Sequence, residues 1–243
     1  MTKGSSQRAI WQSTHDVARK HLIAQAEVMN ATNVLQEAFW GTFSVALSLE
    51  RPGDDAKWYA EHRFHNHALT IWHVVQNDAQ QREMAVAAIS TIPTKLKLGP
   101  ARDRLNWAKK KAAKLAEYRN LIAHNPISFS ARQRRKNLEW IPRFGGQGTR
   151  PLSWRKLELI GGLAFWSSLR NDLLDLGLYV QGINNQVRRL QVESLGGEII
   201  GAPKTWPGKP RLRSLPRLLA IERTLTPVPP KSGRRNRRKS SRL

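Results

Sequence analysis

Arg119, Asn120 and His124 lie within one short segment, and their side chains suit phosphodiester chemistry. A guanidinium can hold a phosphate through a bidentate fork. An imidazole titrates near ~6.5 when unperturbed, so it can take or give a proton at neutral pH. On a helix, residues four apart share a face, which puts Asn120 with His124 and Arg119 on the neighbouring side. The C-terminal end of a helix favours a cationic imidazole. This set suits RNA cleavage without a metal, in which the 2′-hydroxyl attacks the adjacent phosphate. His124 would move the proton, Arg119 would stabilise charge on the phosphate in the transition state, and Asn120 would orient the imidazole or bind phosphate. The plainer alternative is that Arg and His at a helix end bond the free carbonyls there and complement the dipole.

The elements that must position these residues read as four main helices. Ala18, Leu22, Ile23, Ala26, Val28 and Met29 begin a helical stripe within a first helix over about 7–49, with a break expected near Asn30–Asn33. Arg51-Pro52-Gly53-Asp54 is a stop and turn. A second helix is expected over about 55–92, with Leu69, Trp72, His73 and Gln76 on one face and Met84, Ala87 and Ala88 on another. The third, over about 101–124, carries Leu105, Ala108, Ala112, Leu115, Ala116 and Ile122 on one side and Lys109, Lys110, Lys111 and Lys114 on the rest. Pro126 ends it, because the residue before a proline is pushed out of the helical region. Between Ile127 and Arg150 the alternation of apolar and polar residues predicts a short β-hairpin or an irregular loop. Ser153 is the expected N-cap of a fourth helix reaching about Leu190. The predicted fold class is therefore mainly α: an antiparallel bundle of four main helices with a small insertion.

The segment Tyr118–Pro126 resembles the motif of HEPN domains, small helical bundles found in bacterial toxins, abortive-infection proteins and other nucleases. Their signature is an Arg, four to six residues, then a His, with a polar residue after the Arg; Arg119, Asn120 and His124 fit its shorter spacing. The same loose spacing recurs at Arg8 and His15, but Ala9 follows that Arg. The resemblance covers roughly ten residues closely, extends to helix order over 1–190 within an expected HEPN-like bundle over 1–200, and is absent from the tail. It implies endoribonuclease activity without a cofactor, in a homodimer whose two motifs face one cleft. It also implies a toxin or defence effector, with an antitoxin as a possible partner. A non-catalytic nucleic-acid-binding or adaptor protein on the same bundle is the alternative.

The charge balance points to an anionic partner. The chain has a net charge of +23, and residues 201–243 hold 13 Lys/Arg against one acid, Glu222. Seven of the 13 prolines lie between Pro203 and Pro230. Residues 201–243 are therefore expected to form a flexible basic tail, with a short amphipathic piece at Ser214–Leu225 able to become helical on contact. Lys231, Arg234, Arg235, Arg237, Arg238, Lys239 and Arg242 are its candidate nucleic-acid contacts, giving affinity through counterion release. Trp206 in this segment either stacks on a base or anchors the chain to the body. The chain has no cysteine, which excludes disulfides and thiolate-bound metals. No leader-like or membrane-spanning run stands out, so a soluble cytoplasmic protein is expected.

Other groupings point less far. His62, His65, His67 and His73 crowd the second helix, but no pair at i, i+4 arises among them, and no metal site is expected. Trp40, Trp72, Trp107 and Trp166 sit on apolar stripes and read as core or dimer interface. No Gly-rich phosphate loop and no paired carboxylates stand out, which argues against ATP use and glycosidase chemistry.

Overall fold

The computed structural model describes residues 3–49, 69–75, 77–91, 96–124, 127–134, 137–144, 163–199, 201 and 203–225. The chain is mainly helical. Its elements are α1 (Lys3–Leu49), α2 (Asp78–Thr91), α3 (Gly99–His124), β1 (Ile127–Arg134), β2 (Asn137–Phe144), α4 (Leu163–Ser194) and α5 (Ser214–Leu225). β1 and β2 pair antiparallel, with Ile127 opposite Phe144 and Arg134 opposite Asn137. Helix α1 packs along α4 and against α2, and α3 packs on α4 and α2, so the long helices share one core.

α1 runs unbroken for 47 residues, without the break expected near Asn30–Asn33. Asn30 and Asn33 are exposed while Ala31, Thr32 and Leu35 are buried, so the asparagines fall on the solvent side and interrupt nothing. The packed stripe is Ala24, Val28, Ala31, Leu35, Ala38, Phe39 and Val45. Leu22 and Ile23, expected on it, face outward at 59% and 49% exposure.

The single second helix expected over 55–92 is interrupted within its described part. Residues 69–74 are helical, residues 75 and 77 are not, and α2 starts at Asp78. Asn77 makes the new start: its Oδ1 accepts hydrogen bonds from the backbone N–H of Ala79 (2.8 Å) and Gln80 (3.4 Å). The buried side of α2 is Gln81, Arg82, Ala85, Val86 and Ile89 rather than the Met84, Ala87 and Ala88 stripe. In α3 the apolar side holds as a buried row of Ala101, Leu105, Ala108, Ala112, Leu115 and Tyr118. In α4 it is Leu169, Leu173, Leu176, Tyr179, Val180, Ile183 and Val187. The expected cap at Ser153 lies outside the described residues.

Two buried polar contacts fix α1 against α4. Asn184 donates from Nδ2 to the Ala38 carbonyl (2.9 Å) and accepts at Oδ1 from Thr42 Oγ1 (2.8 Å). Trp72 and Trp166 are buried, while Trp40 and Trp107 pack on the core with one side open. No helix among the described residues is long and apolar enough to cross a membrane.

Over 203–221 the expectation of a flexible tail gives way to a docked strap. Leu212, Leu215, Leu218 and Ile221 are buried in the common core, and Trp206 packs against it. The strap's backbone is held by α4. Gln186 Nε2 donates to the carbonyls of Pro203 and of Thr205, the latter at 2.8 Å. Asp172 accepts from the N–H of Arg213 and of Ser214, each at 2.8 Å, and from the Ser214 hydroxyl at 2.5 Å. A carboxylate at the start of α5 satisfies its free donors and meets the positive end of its dipole. Gly182 leaves room for the Pro207 ring, whose carbons would lie 3.2 Å from an added Cβ. Composition hid this docking: prolines and cations dominate the segment, and its leucines are few but evenly placed on one side. Residues 226–243 lie outside the described residues.

Candidate functional site

Arg119 stands two turns from the end of the longest run of lysines in the chain, on the last turns of α3. Its neighbour on the inner side, Tyr118, is buried and donates from its hydroxyl to the Leu218 carbonyl (3.3 Å). That contact fixes the angular setting of this turn of α3. Arg119 is consequently aimed towards the start of α2, where Nη2 lies 3.8 Å from Asp78 Oδ2. Its Nη1 donates to Asn120 Oδ1 at 2.9 Å. Its Nε is buried without a hydrogen-bond partner. Asn120 itself is exposed.

Behind Arg119 lies a polar network that joins three helices. Arg82 is 3% exposed and donates from Nη1 to Gln36 Oε1 (3.2 Å). Gln36 in turn donates from Nε2 to Gln81 Oε1, and Gln81 donates from Nε2 to the carbonyls of Trp72 (2.9 Å) and Val75 (2.8 Å). Those two carbonyls lie at the C-terminal end of the helical stretch 69–74 and just past it, so the network also closes the interruption before α2. Burial pulls the Arg82 guanidinium below its ordinary pKa, Asp78 and Glu83 oppose that, and nearby Arg119 adds to it by repulsion. Two guanidiniums, Arg82 and Arg119, therefore lie within electrostatic reach of each other and of Asp78.

The sequence-derived residues divide as follows. Arg119 and Asn120 are adjacent and hydrogen-bonded. His124 is the last residue of α3, and its side chain lies outside the described set. Lys231, Arg234, Arg235, Arg237, Arg238, Lys239 and Arg242 also lie outside the described residues. The participation of Gln36, Asp78, Gln81 and Arg82 was missed by sequence reasoning. A signal was present: Gln81 and Arg82 sit one turn before Ala85, Val86 and Ile89, so they occupy polar positions on the packed side of α2.

Of the expected histidine group, His73 is exposed and His62, His65 and His67 lie outside the described residues. Among the described residues no three metal-ligating side chains gather. Trp206 acts as an anchor: it packs on the core, and the Arg104 guanidinium stands 5.6 Å from its ring centroid. No protein-family model matches the chain, and neither a curated protein nor a solved structure shows significant similarity to it.

Proposed function

We propose that the chain is an endoribonuclease of HEPN type, acting as a homodimer, with Arg119, Asn120 and His124 in the catalytic roles. The observation that carries this reading is the state of Arg119. Its guanidinium is held by Asn120 and Asp78 yet stays partly exposed, its ion pair is long at 3.8 Å, and a second guanidinium, Arg82, lies near enough to repel it. A fixed, partly exposed cation suits a phosphoryl oxygen that gains charge in the transition state. His124, one turn further on, supplies proton transfer to or from the 2′-hydroxyl. On this reading the long helices form the family's antiparallel four-helix arrangement, and β1–β2 is an inserted hairpin. The protein is then a cytoplasmic toxin or defence effector that meets RNA and, where one exists, an antitoxin.

The test is cleavage of a mixed RNA pool by the purified full chain and by its Arg119→Ala and His124→Ala variants. The expected result is products ending in 2′,3′-cyclic phosphate, formed in the presence of a chelator. Each variant should cut about 10²–10³-fold more slowly while remaining folded. Cleavage at the wild-type rate in either variant would sink the assignment.

A second reading, nucleic-acid binding without catalysis, is favoured by one separate feature: the strap presents Lys209, Arg211 and Arg213 to solvent without ion pairs among the described residues. It predicts salt-dependent RNA binding with no cleavage by the wild-type chain.

A further inference from the structure

The contacts that dock the strap also set its direction. Trp206 lies by Arg104, Lys209 by Trp107, and Leu218 by Tyr118. The strap therefore runs alongside α3 in the same direction, towards the end that carries Arg119. Its residues alternate as they go. Lys209, Arg211 and Arg213 are exposed, while Pro210 is half-buried and Leu212 and Ser214 are buried. In an extended chain, residues two apart lie roughly 6–7 Å apart on one side, so the cations form a row over an apolar underside.

Lys209, at the start of that row, stands by a groove of about 490 Å³ lined by Trp107, Lys111, Leu212, Leu215 and Leu219. The Lys209 ammonium is 5.5 Å from the Trp107 ring centroid and that of Lys111 is 5.9 Å from it. Both ammonium groups thus stand within cation–π range of one indole, and neither makes an ion pair among the described residues. An anion placed against either ammonium gains an attraction that no carboxylate among the described residues supplies.

We propose that this groove is a binding track for single-stranded RNA. Backbone phosphates lie on Lys111, Lys209, Arg211 and Arg213, a base rests against Trp107, and the strand leads towards Arg119. The inference builds on the nucleic-acid partner proposed above. An acidic peptide is the competing occupant of an apolar groove with a cationic rim. The evenly stepped cations and the indole favour a polymer with regular charges and flat bases.

The test is fluorescence anisotropy of the full chain with a short labelled single-stranded RNA of mixed sequence, titrated across salt. All proteins in it carry His124→Ala, so that no cutting disturbs the reading. Combined Lys111→Gln, Lys209→Gln and Arg211→Gln should weaken binding at least ~10-fold and make the log K against log salt slope shallower by about 2. Trp107→Leu alone should weaken binding about 10-fold with an unchanged slope. Wild-type affinity and slope in the triple variant would overturn the proposal. So would a poly-glutamate peptide that binds as tightly as the RNA and loses its affinity in the same variant. Cleavage plays no part in this readout: the predicted losses support the track even if the unmutated chain never cuts RNA.

Discussion

Asp172 on α4 and Arg119 on α3 are both charged side chains drawn in from water, and the fold treats them differently. Asp172 is almost fully buried and accepts three short hydrogen bonds from the strap, two from backbone N–H groups and one from the Ser214 hydroxyl. Arg119 is only partly buried, makes one hydrogen bond to its sequence neighbour and a long 3.8 Å ion pair, and keeps Nε without a partner. A carboxylate whose acceptors are so fully used is a structural joint, because any ligand would have to displace the strap. A guanidinium that is positioned but under-used retains donors for something that comes and goes. The contrast separates the charge that builds the protein from the charge that is free to act.

Asp172→Ala tests the first half of that contrast and should have the largest effect on stability. It strands two backbone donors at the start of α5 and one hydroxyl, each costly when buried, so a loss of about 3 kcal/mol or more is expected. Urea unfolding measures it. Protease susceptibility should rise within 203–221 at the same time, because the strap loses its attachment to α4. An unchanged unfolding midpoint would mean that the leucines alone hold the strap and that Asp172 is no joint.

Arg119→Gln tests the second half. Its ion pair with Asp78 is long and both side chains retain solvent access, at 21% and 37%, so screening leaves it little energetic weight. Its removal also ends the repulsion on Arg82. Stability should change by less than about 1 kcal/mol by urea unfolding. A loss as large as that of Asp172→Ala would put Arg119 among the structural charges and erase the distinction.

How much of this was legible in the sequence depends on what kind of information each feature needs. The buried rows of α3 and α4 follow the helical period, since each apolar side chain reports its own face. Leu105, Ala108, Ala112 and Leu115 stood out for that reason, and Leu169, Leu173, Leu176 and Tyr179 keep the same spacing in α4. The start of α2 at Asp78 depends on the Asn77 cap and on Gln81 reaching back to the carbonyls of Trp72 and Val75, a closure that periodicity does not report. The strap was hidden more deeply. Its composition resembles that of an unfolded chain, and its docking depends on Asp172 and Gln186, which lie about forty and twenty residues earlier in the chain. For the site, the motif gave Arg119 and Asn120 as neighbours at a helix end. It gave nothing of Arg82 or Asp78, because that juxtaposition is made by packing α2 on α3.

A third ionisable side chain drawn in from water, His21 on α1, sharpens the comparison with the smallest expected effect. It is 5% exposed, and burial lowers its pKa below the ordinary 6.5. In the folded chain the imidazole thus stays neutral at a pH where the unfolded chain has already bound a proton. The unfolded state then binds more protons, so stability falls as pH drops below about 6.5 and levels off once the folded imidazole also titrates. Above that range the neutral form prevails in both states and His21 adds no pH dependence. Urea unfolding followed from about pH 7.5 to 5 should show this decline in the wild type. In His21→Gln the decline should be shallower, because the neutral amide has no proton to take up. Equal slopes in the two proteins would mean that His21 is charged without cost in the fold. Burial alone would then not tell a structural charge from an active one, and the case for Arg119 would rest on its partial exposure and its long ion pair.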